Sequence, residues 1–292
     1  MNRVNIALFY NNKRGLEVLK YFLKKKQNKY FIIKKIFLSK KNLIKNVFLK
    51  TKKFNPIIID KVNSKFVERE IKKKEIDIIL VCGFPYIFKK NIFDLPKIAS
   101  LNLHGGPLPK YRGGSPLNWQ IINNEKFIGI SVIKIDEGID TGPIIVQKKF
   151  KLNLNDDINS VHNKANKIFP IIAKKAIIEI KKKNLIKSQI KKEGTYFPQR
   201  SRKDGKINFD KASSIEAFNL IRAITKPYPG AFCYDKYGKE VIIYKSKICK
   251  NSKNKKIGEV DFTKKFPVVK FKKGSLKILK SSRQLINNEL LS

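Results

Sequence analysis

Short apolar runs recur through the first part of this chain, each followed by a polar turn and a stretch of helical spacing. The runs are Val4–Phe9, Tyr30–Leu38, Pro56–Asp60 and Ile76–Val81, and Leu16, Leu19, Phe22 and Leu23 line one side of the first helical stretch. Apolar runs of strand length read as strands buried on both faces, and such strands separated by helices build an open parallel sheet. A Lys-rich helix fits between Leu38 and Pro56, and further helices fit Ser64–Lys74, Pro116–Asn123 and Ser160–Lys182. The last carries Val161, Ala165, Ile168, Ile172, Ala176 and Ile180 at helical spacing, a stripe that packs against a core. Pro170 inside it predicts a kink.

Beyond residue 184 the pattern changes. Glu193–Asn208 is polar and turn-rich, with Pro198, Arg200, Arg202 and the Asp204–Gly205 pair. A helix over Ser213–Ile224 leads to short β-rich runs at Glu240–Ile248, Ile257–Val260, Phe266–Lys270 and Leu276–Leu279. Such spacing suits a small barrel or sandwich. The reading is an α/β protein: an open, Rossmann-like, mostly parallel sheet over 1–190, then a small OB-like β domain over 195–292, with no internal repeat.

Composition excludes several classes. A chain of 292 residues that is 42% hydrophobic and 11% aromatic can bury a full core, so global disorder is ruled out. No apolar run approaches the ~20 residues that span a bilayer, and the first fifteen residues are too weakly apolar for a secretory signal. Cys82, Cys233 and Cys249 are odd in number and far apart, which argues against a disulfide framework and for a reducing cytoplasm. The formal net charge is +42, from 65 basic and 23 acidic residues. Lysine runs at 24–26, 72–74, 181–183, 191–192 and 272–273 are scattered, and aromatics do not interleave with arginines as in single-strand binders. Lys, Asn and Ile are abundant throughout, so compositional drift is preferred over dedicated nucleic-acid binding.

The chemistry concentrates in residues 101–142, LNLHGGPLPKYRGGSPLNWQIINNEKFIGISVIKIDEGIDTG. Asn102 and His104 are two apart at the end of an apolar run, so on an extended strand both point to one side. An Asn amide can stabilise a developing oxyanion, and a His beside a carboxylate can take a proton near neutral pH. Asp140, in the loop DEGIDTG, would have to arrive through the fold. The competing reading is a connecting loop whose His and Asp cap turns. No cysteine or serine elbow lies near, so a bound nucleophile is expected to attack directly rather than through a covalent enzyme intermediate. Two histidines exclude a histidine-rich metal site, and His162 reads as an ordinary helical residue.

NLHGGPLPKYRGGSP followed by DEGIDTG resembles the formyltransferases that use 10-formyltetrahydrofolate, a family that includes methionyl-tRNA, glycinamide-ribonucleotide and amino-sugar formyltransferases. The resemblance implies that Asn102, His104 and Asp140 are catalytic, and that Asn102 and a protonated His104 stabilise the tetrahedral oxyanion. It implies a folate site along Cys82, Gly83, Phe84 and Ile87 and the backbone of Glu137, Gly138, Ile139 and Asp140. The passage YFPQRSRKDGKINF, followed by RAITKPYPGAF, is similar to sugar N-formyltransferases. The tRNA enzymes resemble one another in a small-residue turn after the first strand and a basic, glycine-rich insertion after the second. This chain has NNKRG and a Lys-rich helical stretch there instead. A nucleotide-linked amino sugar is therefore the expected acceptor, with initiator Met-tRNA the alternative and a non-catalytic RNA-binding role behind both. Lys110 and Arg112 are the expected diphosphate ligands, Asn118 and Trp119 are expected to line the pocket, and a homodimer is left open.

Overall fold

A computed structural model describes residues 3–182, 187–190, 193–249, 255–262 and 265–292. The lysine pair at 191–192 and Lys183 of the run at 181–183 lie outside the described residues. Strand β1 (Val4–Tyr10) leads through α1 (Lys13–Phe22) and α2 (Lys25–Asn28) to β2 (Phe31–Ser39). Then come α3 (Lys45–Thr51), β3 (Ile57–Ile59), α4 (Lys65–Lys73), β4 (Ile78–Cys82), α5 (Lys90–Phe93) and β5 (Ala99–His104). The middle of the chain forms β6 (Arg112–Gly113), α6 (Pro116–Ile122), β7 (Phe127–Lys134), β8 (Ile144–Lys151), α7 (Ile158–Lys181) and β9 (Tyr196–Phe197). The remainder forms α8 (Ser214–Ile224), β10 (Ala231–Tyr234), β11 (Glu240–Cys249), β12 (Val260–Asp261), β13 (Val268–Lys270) and β14 (Ser275–Ser281).

These elements fall into two compact units interleaved along the chain. The first gathers Met1–Pro116, Gly129–Phe150 and Asn163–Phe197; the second gathers Leu117–Ile128, Lys151–His162 and Pro198–Ser292.

The first unit holds a seven-stranded sheet in the order β3-β2-β1-β4-β5-β7-β8. The pairs β1–β2, β1–β4, β2–β3 and β4–β5 are parallel, and β5–β7 is antiparallel. Every residue of β4 is buried, which is why it reads as one unbroken apolar run. Phe9 stacks on Phe37 at 4.4 Å between ring centres and meets the edges of Phe84 and Phe88, filling one face of the sheet. Successive strands step outward to either side of the β1–β4 pair, so the loops after these two strands diverge. That divergence opens the crevice in which open α/β sheets bind ligands. Helix α7 runs unbroken through Pro170.

In the second unit β10-β11-β14-β13-β12 form an antiparallel sheet with α8 packed on β11. Ser213 and Glu216 close a reciprocal cap at the start of α8, satisfying two of its otherwise orphaned amides. Strand β10 occupies the AFCY stretch after KPYPG, ahead of the β-rich runs read from sequence. Among the described residues no helix is long and apolar enough to cross a membrane.

Candidate active site

Asn102 and His104 lie at the carboxyl end of β5, in register with Val81 of β4 on one side and Ile133 and Ser131 of β7 on the other. Beyond His104 the chain turns through Gly105 and Gly106. A Cβ on Gly106 would stand 2.7 Å from His104 Nε2 and 2.8 Å from the Tyr111 carbonyl, so only glycine lets the ring lie there. Ser131 pins the same loop: its hydroxyl donates to the Gly106 carbonyl at 2.7 Å and accepts from Leu108 N at 3.3 Å.

Asp140 joins them from the loop between β7 and β8. Its Oδ1 accepts from Asn102 Nδ2 at 3.2 Å, and its Oδ2 accepts from Gly113 N at 3.0 Å and stands 3.3 Å from His104 Nδ1. The three residues named from sequence thus meet around one carboxylate.

The proton positions follow from what each atom can do. A carbonyl only accepts, so the 2.6 Å contact between His104 Nε2 and the Tyr111 oxygen requires a proton on Nε2. Burial of the ring pulls its pKa below the ordinary value; the Asp140 carboxylate and the Tyr111 carbonyl oppose that pull, and the Arg14 guanidinium adds to it. Nδ1 faces Asp140 Oδ2 across 3.3 Å, a gap longer than a charge-assisted bond. With Nε2 held by Tyr111 and Nδ1 facing Asp140, both ring nitrogens face partners within the protein, while Asn102 uses one N–H on Asp140 and its amide has two.

The residues expected to meet the folate flank the β4 end and the DEGIDTG loop. Cys82 is wholly buried, its thiol pKa pushed up by burial, so its side chain serves packing. Gly83 follows at φ +67°, and Phe84 packs on Phe9, Tyr86 and Phe88. Ile87 is exposed, as are Glu137, Gly138 and Ile139. Asp136 knits the latter loop by accepting from Gly138 N at 3.2 Å and Thr141 Oγ1 at 2.8 Å.

The expected acceptor ligands fare differently. Lys110 is exposed. Arg112 is buried, and its Nε and Nη2 donate to Gln189 Oε1 at 3.1 and 2.9 Å, so its guanidinium is committed inside the protein rather than offered to a diphosphate. Asn118 is buried with its Nδ2 on the Ala223 carbonyl at 2.7 Å, a structural tie within the second unit. Trp119 is half-buried; Nε1 donates to the Pro198 carbonyl and Arg200 lies over the ring at 5.1 Å. His162 pairs with the Tyr228 hydroxyl at 3.1 Å. Three neighbours of the site carried no signal in the sequence: Arg14, which donates to the Leu103 carbonyl at 2.9 Å, the Tyr111 carbonyl, and Gln189. Arg14 reads as part of a polar turn, Gln189 as a polar residue near the end of the first domain, and a backbone carbonyl has no residue type to read.

Comparison with known proteins agrees with this architecture. Residues 3–177 match the model of the formyl transferase family, and residues 200–285 match that of the formyl transferase C-terminal domain. The chain belongs to the formyl transferase family. It is 40% identical over 194 residues to the bifunctional polymyxin resistance protein ArnA of Wigglesworthia glossinidia brevipalpis, a match covering 64% of this chain and 28% of that protein. It is 32% identical over 226 residues to the methionyl-tRNA formyltransferase of Caldanaerobacter subterraneus subsp. tengcongensis, covering 77% of this chain and 72% of that one. Among solved structures, WlaRD, a sugar 3N-formyl transferase crystallised with dTDP and 5-N-formyl-THF, superposes with a TM-score of 0.69 at 25% identity. That match covers 98% of this chain and 100% of WlaRD.

Proposed function

We propose that this protein moves the formyl group of 10-formyltetrahydrofolate to a primary amine, with Asn102, His104 and Asp140 as the catalytic residues. The observation that carries the reading is the single carboxylate of Asp140, which touches Asn102 and faces His104 Nδ1. The acceptor amine attacks the formyl carbon, and the second N–H of Asn102 meets the oxygen as negative charge gathers on it. The Asp140–His104 pair takes the proton the amine sheds: the carboxylate receives it and Nδ1, 3.3 Å from Oδ2, holds it, the imidazolium so formed being stabilised by Asp140. The bond from carbon to N10 then breaks and the proton passes to N10, leaving an N-formyl product and tetrahydrofolate. The folate would lie in the crevice between the loop at Gly83–Ile87 and the backbone of Glu137–Ile139. The residues 1–190 would supply this chemistry and 195–292 would form the accessory domain. A reducing compartment such as the cytoplasm suits the free thiols of Cys82, Cys233 and Cys249.

For the acceptor, the reading is the amino group of a nucleotide-linked sugar. Its support is the end-to-end match to WlaRD, together with the passage from Tyr196 to Phe209 that resembles sugar N-formyltransferases. A second reading, initiator Met-tRNA, is favoured by the 77% coverage of this chain by a methionyl-tRNA formyltransferase. The deciding experiment incubates the purified chain with 10-formyltetrahydrofolate and either UDP- and dTDP-linked amino sugars or charged initiator tRNA, followed by mass spectrometry. A mass gain of one formyl group on a sugar is expected. Formyl-Met-tRNA alone would replace the acceptor. Salt-sensitive RNA binding with no transfer to either acceptor would overturn the enzymatic reading.

A further inference from the structure

Both partners of the His104 ring belong to residues in a conformation that side-chain-bearing residues rarely adopt. Tyr111 stands at φ 61° and Asp140 at φ 54°. Backbone of this kind persists only where its surroundings over-determine it. Two short pieces of chain, 187–190 and 193–197, do so for both residues. Lys187 pairs with Ile144 by backbone bonds of 2.8 and 3.1 Å, beside the end of the DTG turn. Gln189 Nε2 donates to the carbonyls of Asp140 at 2.9 Å and Gly142 at 2.6 Å, while its Oε1 accepts the two bonds from Arg112. The amide thereby uses both of its N–H groups and both lone pairs. On the other side of the ring, Thr195 Oγ1 accepts from Tyr111 N at 2.9 Å, and the Thr195 carbonyl accepts from Arg112 N at 2.9 Å. The Phe197 ring stacks on Tyr111 at 5.0 Å.

We infer that Gln189 and Thr195 are positioning residues for formyl transfer. Gln189 fixes the backbone that aims the Asp140 carboxylate at Asn102 and His104. Thr195 fixes the backbone that aims the Tyr111 carbonyl at His104 Nε2. Neither touches a reacting atom. Arg112 ties the two together, since its side chain binds Gln189 and its backbone binds Thr195. The inference rests on the catalytic reading of Asn102, His104 and Asp140.

Gln189→Met keeps length and neutrality and removes all four bonds; Thr195→Val keeps shape and removes only the acceptor for Tyr111 N–H. The expected result for each is a fall in kcat of about 10²-fold, the scale of an ångström misplacement, with KM for 10-formyltetrahydrofolate changed by less than about 3-fold. The charged groups acting on the His104 ring are Asp140 and Arg14. A carboxylate no longer aimed at the ring supports the imidazolium less, so the acidic limb of the kcat–pH profile should move to lower pH in Gln189→Met. A lower amplitude with an unmoved limb in Gln189→Met would mean lost active fraction, a merely structural role, and would overturn the inference for that residue. Should Gln189→Met fail to fold, Thr195→Val decides: unchanged kcat in the folded variant would sink the proposal. Asp140→Asn, run alongside, separates the two levels. Full turnover there defeats the catalytic reading itself, whereas loss there with full turnover in both positioning variants defeats only this inference.

Discussion

His104 shows how much a single residue's role depends on which atoms its neighbours offer. Its Nε2 must donate to the Tyr111 carbonyl, so in the proposed mechanism Nδ1, beside Asp140, is the nitrogen that holds the proton. Because burial lowers the ring's pKa, the base form persists below the ordinary histidine range, and protonation there removes the proton acceptor. The acidic limb of kcat/KM should therefore fall below pH 6.5, the ordinary value, with activity lost as pH falls through the folded pKa. A limb at or above that value would contradict a desolvated base. Asp140→Asn keeps the size of the side chain but removes the carboxylate that stabilises the imidazolium. Turnover is expected to drop by roughly 10²–10⁴-fold, with the circular dichroism spectrum unchanged. At this scale residue types were legible: an Asn-x-His pair and a later Asp announce proton transfer and oxyanion support. What they touch was not legible, because Tyr111 contributes through its backbone and Gln189 through a side chain that any polar loop could carry.

At the scale of elements, the apolar runs translate almost directly into strands, since a strand covered on both faces tolerates few polar residues. The two-residue pairing of β6 with β9 is invisible in sequence, yet it holds the PKYRGG turn against the chain after α7. Gly113 sits in that pairing at φ +89°, and a Cβ there would lie 2.3 Å from the Phe197 carbonyl. Gly113→Ala should cost about 1–3 kcal/mol in a denaturant titration through left-handed strain and that clash. It should also weaken activity, because the same residue's N–H supports Asp140. Helix α3 offers an independent check away from the site. Thr51 uses its hydroxyl proton on the Val47 carbonyl at 2.7 Å, so the buried Tyr10 hydroxyl donates to Thr51 Oγ1, also at 2.7 Å. Burial pushes the Tyr10 pKa up to about 12. Thr51→Val strands that hydroxyl, and a loss of about 1–3 kcal/mol in the same titration is expected, with kcat unchanged.

Across the whole molecule the net charge of +42 invites a reading as a nucleic-acid binder, but charge alone names no partner. Salt discriminates. If a nucleotide-linked sugar is the acceptor, few phosphates are neutralised and KM should change little between about 50 and about 200 mM salt. A tRNA held by six to ten phosphate contacts would lose roughly 10³–10⁵-fold over that range. A steep dependence of the sugar KM would count against the preferred acceptor. By itself the sequence determined the layering of the fold and singled out the residues proposed to react. Periodicity encodes which faces are buried, and reactive residue types are few enough to recognise. Only the tertiary structure decided how those groups are wired: that Asp140 meets Asn102 and His104 across 38 and 36 positions of chain, that Arg112 is committed to Gln189, and that His104 turns Nε2 to the Tyr111 carbonyl and Nδ1 to Asp140. Those outcomes depend on strand order, on two left-handed backbone positions and on carbonyl directions. Such features belong to the arrangement of distant segments in space rather than to any local stretch of residues.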